Sequence, residues 1–139
     1  MDFQTLADDL SLDYEDFIEL AELFVSTASS DINKLEEAYS KKDSNGMSEA
    51  SHSLKGASAN LGFTEIATVA NYIEQNTTKE TDNIEKKIKE LKKMVETINQ
   101  QVNSIWKFNE LSRLDGFSYN LLKFFLKIVS SLCLKLNPI

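Results

Sequence analysis

The sequence of 139 residues is poor in several residue types, and each scarcity excludes a kind of structure or site. The single cysteine, Cys133, cannot form a disulfide within the chain, and one cysteine with one histidine cannot supply the ligands of a zinc site. Four glycines and one proline leave few positions that would interrupt a helix, so the composition favours an all-helical protein. The chain begins with Met1 just before the first predicted helix and lacks the basic and apolar segments of a signal peptide. We therefore expect a stand-alone, cytoplasmic protein.

Basic residues are also in the minority. The chain has 22 acidic and 15 basic residues, which gives a formal charge of −7. An acidic surface repels a phosphate backbone, so nucleic acid is not expected as a partner. The charge is uneven, because residues 1–102 carry 20 acidic and 10 basic side chains whereas residues 103–139 carry 2 and 5. This shift indicates two compositional segments.

The chain does contain a clear helical periodicity of its apolar residues. Apolar residues recur at steps of three and four from Tyr14 to Ala38, and again in one narrow seam from Ile84 to Ile105. Between these runs the sequence predicts two helices, one capped by Asp43 and ended by Gly62, the other running from Thr64 to about Asn76. Short connections favour an all-α fold, an antiparallel up-down four-helix bundle with a short N-terminal helix and an extra C-terminal amphipathic helix. The predicted domains are a bundle over residues 1–105 and an apolar extension over 106–139.

The extension contains an apolar stretch from Phe117 to Leu136. Lys123 and Lys127 lie in its middle, and charges there are costly in hydrocarbon, so a membrane-spanning helix is disfavoured. Three alternatives stay open for this stretch. It could pack on the bundle or on a second copy of it as a homodimer contact, lie on a membrane surface, or be an extension foreign to the domain.

The one histidine, His52, lies on the third predicted helix. At about 100° per residue, five apolar residues of this helix fall within about 80° of one another and form a seam. His52 lies about 180° from the middle of that seam. The seam consists of Met47, Ala50, Leu54, Ala57 and Leu61. We therefore expect the imidazole to point into solvent. A lone histidine on a protein surface usually has no specific function.

The neighbours of His52 argue for a function. Gly56, Ala59 and Ser48 are small residues on the same face, and a glycine inside a helix costs about 1 kcal/mol relative to alanine. Such a strip allows another molecule to approach the imidazole closely, while Lys55 can bring a positive charge to it. A neutral imidazole is a competent nucleophile, and phosphoryl transfer needs mainly positioning and charge stabilisation. No acidic cluster near His52 could hold Mg²⁺, so a partner would have to supply the metal.

The segment His52-Ser53-Leu54-Lys55-Gly56, followed by Ala57-Ser58-Ala59-Asn60-Leu61-Gly62, resembles the signature of histidine-containing phosphotransfer (HPt) domains. The resemblance covers about residues 10–102, including Glu74 in the following helix. It implies a four-helix bundle, His52 as the phosphorylated residue, Lys55 as the residue that stabilises the phosphate, and Gly56 as clearance for the partner. Family members exchange the phosphoryl group with a receiver-domain aspartate and have no kinase activity of their own. The predicted docking face consists of Gly56, Ala59, Ser48 and Asn60.

The leading hypothesis is a phosphocarrier that accepts a phosphoryl group on His52 from a receiver domain and passes it on. Its expected partners are receiver domains of response regulators and a hybrid histidine kinase. It needs no cofactor and no metal of its own, since Mg²⁺ is expected only on the receiver. The alternative is a helical interaction module that binds receiver domains without being phosphorylated. An enzyme is disfavoured because the sequence has no P-loop and no glycine-rich nucleotide loop.

Overall fold

The computed structural model of the protein describes residues 1–79, 82–115 and 124–129. Within these residues there are helices and no strands, which confirms the all-α prediction. Residues 124–129 are helical, and the other helices are α1 (Phe3–Asp9), α2 (Tyr14–Ser40), α3 (Ser44–Asn60), α4 (Thr64–Gln75) and α5 (Asp82–Asp115). The chain divides into two compact units, Met1–Asn99 and Gln100–Ile139, and the division falls inside α5.

Local chemistry at both ends sets the length of α3. The Asp43 side chain accepts a hydrogen bond of 3.0 Å from the Gly46 backbone N–H and so caps the first turn. A Cβ on Gly46 would meet this carboxylate at 2.5 Å, so a larger residue there would displace the cap. At the other end, Gly62 adopts a φ of +79°, and the Phe63 N–H bonds back to the Ser58 carbonyl at 2.9 Å. The predicted start and stop of this helix are confirmed.

The first unit is a helical bundle, since α2 packs on α3 and α3 packs on α4. Only three residues separate α2 from α3 and α3 from α4, so these three helices alternate in direction. Four phenylalanines fill the end of the bundle where α1 lies, with a centroid separation of 4.9 Å between the closest rings. They are Phe3, Phe17, Phe24 and Phe63.

The first unit also buries the predicted seam of α5. Its side chains there are at most 3% exposed, and Lys92 forms an ion pair of 2.7 Å with Glu36 of α2. The buried seam residues are Ile84, Ile88, Leu91, Val95 and Ile98. The prediction of a long helix with one narrow apolar face is therefore confirmed.

The second unit contains the end of α5 and the helix at residues 124–129. Phe125 stacks on Phe108 of α5 with a centroid separation of 6.1 Å. The predicted C-terminal helix from Phe117 to Leu136 is helical at residues 124–129, and the rest of it lies outside the described residues. None of the described helices is both long and apolar enough to cross a membrane.

Candidate functional site

His52 lies at the middle of α3, on the side of the helix opposite the core. Its side chain is 71% exposed, whereas Leu54 and Ala50 on the other side are buried. The prediction that the imidazole faces solvent is confirmed. The helix thus holds the imidazole at the surface from an element that is packed on its other side.

Glu74 of α4 holds the imidazole from the neighbouring helix. Its Oε1 atom lies 2.8 Å from Nδ1 of His52, and its Oε2 atom accepts a hydrogen bond from the Lys55 ammonium group. Only 15% of the Glu74 side chain is exposed, so the carboxylate is inserted between α3 and α4. Glu74 therefore connects His52 and Lys55, which lie three positions apart on α3.

The charge on Glu74 determines which ring nitrogen of His52 carries the hydrogen. The hydrogen bond from Lys55 lowers the pKa of Glu74 below its usual value of 4.5, as does the contact with His52, while burial acts in the opposite direction. The carboxylate is therefore ionised near neutral pH and can only accept hydrogen bonds. Nδ1 of His52 must donate to it. In the neutral imidazole the lone pair then lies on Nε2, the other ring nitrogen.

Lys55 is held away from the position that a flexible lysine could take above the ring. Its ammonium group is bound to Glu74, and its side chain is 31% exposed. Lys55 and His52 thus share the Glu74 carboxylate, each bonded to a different oxygen. The role of Lys55 in stabilising a phosphate stays a prediction.

The small residues near His52 leave space above α3. Within the part of the chain that the structure describes, a Cβ added to Gly56 would meet nothing within 4 Å, and both Ala59 and Asn60 are exposed. Ser48, one turn before His52, is half-buried. The four predicted docking residues therefore lie on one helix. Ser48 precedes His52, and the other three lie between His52 and the C-terminal end of α3.

A second carboxylate, which is buried, fixes α3 against α2. Asp31 is only 5% exposed, and its Oδ2 atom accepts a hydrogen bond of 2.6 Å from the Ser53 hydroxyl. Lys34 lies 3.9 Å from the other oxygen. Since Ser53 follows His52 directly, this contact and the Glu74 contact hold the same turn of α3 from two neighbouring helices.

Sequence reasoning missed the roles of Glu74 and Asp31. Each carries a weak signal in the sequence, because each lies where the spacing of the buried apolar residues would place another buried side chain. Glu74 follows Ile66 and Ala70 on α4, and Asp31 follows Phe24 and Ala28 on α2. An acidic residue in such a seam needs a polar partner. The spacing does not identify the partner. Among the described residues, no group of three His, Cys, Asp or Glu side chains is arranged to hold a metal ion.

Comparison with known protein families agrees with this geometry. The family model of the Hpt domain matches residues 19–101, which include His52, Lys55 and Glu74. Searches of curated proteins and of solved structures found no match to the chain. The match covers more than half of the sequence and the whole of α3 and α4. The chain therefore belongs to the Hpt domain family, the histidine phosphotransfer domains of phosphorelays.

Proposed function

We propose that this protein is a cytoplasmic phosphocarrier of a multistep phosphorelay, which accepts a phosphoryl group on His52 from a receiver-domain aspartate and passes it on. The observation that carries the proposal is the exposed imidazole whose Nδ1 is bound to the ionised Glu74. This bond leaves Nε2 with the free lone pair. A nucleophile with its lone pair available at an exposed atom is what phosphoryl transfer between two proteins requires.

The transfer needs no proton movement on this protein. The Nε2 lone pair forms the N–P bond while the P–O bond to the receiver aspartate breaks, and that electron pair returns to the aspartate carboxylate. His52 then carries a positive charge and keeps its hydrogen on Nδ1, where the Glu74 carboxylate balances the charge. In the reverse step the N–P bond breaks and its electrons return to Nε2. The same arrangement therefore serves acceptance and donation.

Lys55 supplies a second charge to the site. The lysine stem is flexible, so the ammonium group can leave Glu74 and contact the oxygens of a phosphoryl group on Nε2. The ionised Glu74 is then left to compensate the imidazolium. In the proposal, Lys55 stabilises the phosphoryl group and Glu74 positions the ring.

The partners in this proposal are receiver domains of response regulators and the receiver domain of a hybrid histidine kinase. They dock on Gly56, Ala59, Asn60 and Ser48 and bring the Mg²⁺ that the transfer uses. The open space at Gly56 supports this orientation, because none of the described residues fills it. The phosphoryl group comes from a partner and not from a kinase activity of this chain.

The test is phosphoryl transfer from a labelled, phosphorylated receiver domain to the wild type and to His52→Gln. We expect an acid-labile phosphate on the wild type and none on His52→Gln, with unchanged helicity of the variant as the control for folding. Label on the His52→Gln variant would show that another residue is the acceptor. A wild type that also accepts no label from a small phosphoramidate donor would contradict the carrier role and favour a non-phosphorylated module that binds receiver domains.

A further inference from the structure

The second unit combines basic charge with large apolar side chains. Residues 103–139 contain five basic and two acidic residues, together with the tryptophan and four of the eight phenylalanines of the chain. The rest of the chain is strongly acidic. The two parts of the sequence therefore carry charges of opposite sign.

The apolar side chains of the 124–129 helix share one face. Phe124, Phe125, Ile128 and Val129 lie within an arc of about 140°, at about 100° per residue. Their exposed fractions are between 38% and 65%, and Lys127 is exposed beside them. An exposed apolar helix face of this width with a basic edge is typical of a surface that binds a partner.

A surface of matching chemistry lies on the first unit. Residues 1–33 contain nine acidic residues and no lysine or arginine. On α2, Asp16, Leu20 and Leu23 recur at steps of four and three, so they form one strip, which we call the α2 strip. Leu23 is 63% exposed and Leu20 39%, and Asp16 and Glu19 are exposed beside them. The α2 strip is therefore apolar with an acidic edge.

We propose that the protein forms a dimer in which the 124–129 helix of each copy packs on the α2 strip of the other. Both surfaces are apolar, and their charged edges have opposite sign, Lys127 on one and Asp16 with Glu19 on the other. A two-fold dimer contains this contact twice, because each copy offers both surfaces. We favour a second copy as the occupant, because every copy presents the apolar α2 strip with the acidic edge that matches the basic edge of this helix.

The first measurement is the mass of the full chain in solution, by light scattering or sedimentation, at low salt. Lys107 is exposed next to Phe108, which stacks on Phe125, so it adds a second positive charge near the 124–129 helix. We expect a dimer, and we expect Lys107→Glu/Lys127→Glu and, separately, Asp16→Lys/Glu19→Lys to be monomers. Lys79→Glu is the matched control, since it changes an exposed lysine outside both surfaces, and it should remain a dimer. A monomeric wild type would overturn the proposal, as would a dimer that both double variants leave intact.

Mixing the two double variants gives the sharper test. In the mixed dimer, each reversed edge meets an edge of opposite charge, whereas each variant alone brings like charges together. We therefore expect the mixture to recover the dimer mass. A mixture that stays monomeric would contradict the α2 strip as the binding surface. A monomeric wild type that floats with phosphatidylserine vesicles would assign the apolar face to lipid instead.

Discussion

Glu74 uses both of its oxygens, and this double use explains why a carboxylate is required there. Oε1 accepts from His52 and Oε2 accepts from Lys55, so a neutral amide could serve one contact but would present a donor to the other. The negative charge also lies beside the ring on which, in the proposed transfer, a positive charge develops. Under that proposal the same contact orients the ring and stabilises its phosphorylated form.

The first prediction concerns the rate of transfer in Glu74→Gln. The variant keeps the shape of the side chain but loses the charge, and a hydrogen bond to a charged group is worth about 1 kcal/mol more than a neutral one. We expect phosphoryl acceptance by His52 to slow by about fivefold. Glu65→Gln, at an exposed position of the same helix, is the control and should accept at the wild-type rate. Equal rates for Glu74→Gln and the wild type would show that the charge is not used.

The second prediction concerns stability in acid. The pKa of Glu74 is lowered in the folded protein, chiefly by the hydrogen bond from Lys55, so this group stabilises the fold above its unfolded pKa, which we take as the usual value of 4.5. That contribution disappears as the pH falls through the lowered value. Glu74→Gln lacks it at every pH. The difference in melting temperature between wild type and Glu74→Gln should therefore shrink on acidification, and a constant or growing difference would contradict the charged contact.

At the residue scale, the sequence predicted His52 but not its partner. The exposure of His52 follows from the spacing of Ala50, Leu54 and the other apolar residues of the same helix, which is a local property. The contact with Glu74 joins residues 22 positions apart. It depends on how α3 and α4 rotate against each other, and side-chain packing decides that rotation. The contact between Asp31 and Ser53 could not be predicted for the same reason.

At the scale of elements, α3 has well-defined ends, whereas a glycine in its middle lowers the stability of the helix. The Asp43 cap and the Gly62 turn were predictable because each involves groups within a few residues in the sequence. Gly56 in the middle contributes no packing contact on its open side. Its conformational freedom lowers the stability of the helix, so the position is better explained by what approaches from outside.

The third prediction separates stability from function at Gly56. Gly56→Leu should raise the free energy of unfolding by up to about 1 kcal/mol, because leucine is a good helix former and the site is open. The same side chain projects into the space above His52 and should slow transfer from a receiver domain. Chemical denaturation and the transfer assay measure the two effects.

Gly46 provides the matched control for this pair of effects. A Cβ there would displace the Asp43 carboxylate from its cap and press on Ala38, so Gly46→Ala loses a contact worth about 1 kcal/mol. We expect no gain in stability from Gly46→Ala and no loss of transfer in the folded protein. If Gly56→Leu transferred at the wild-type rate, Gly56 would not be part of the docking face.

At the scale of the whole molecule, the periodic part of the sequence was predictable and the C-terminal part was not. The α5 seam from Ile84 to Ile105 repeats so regularly that its buried face could be assigned directly. The helix nevertheless continues to Asp115, beyond the last seam residue, and in this part Phe108 packs on Phe125 of the second unit. In residues 103–139 the apolar positions are too many to define one face, so the sequence left its contacts open.

The fourth prediction follows from the separation of the site from the C-terminal unit. All residues that we place at the site lie within Met1–Asn99, and so does every hydrogen bond of Glu74 described above. Deleting residues 108–139 should therefore leave phosphoryl acceptance by His52 unchanged while it removes the 124–129 helix and, with it, the proposed dimer. Transfer from a labelled receiver and the mass in solution, measured on the same sample, test both parts. A truncated protein that keeps its helicity but no longer accepts phosphate would show that the C-terminal unit contributes to the site, and a truncated dimer would place the self-contact elsewhere on the bundle.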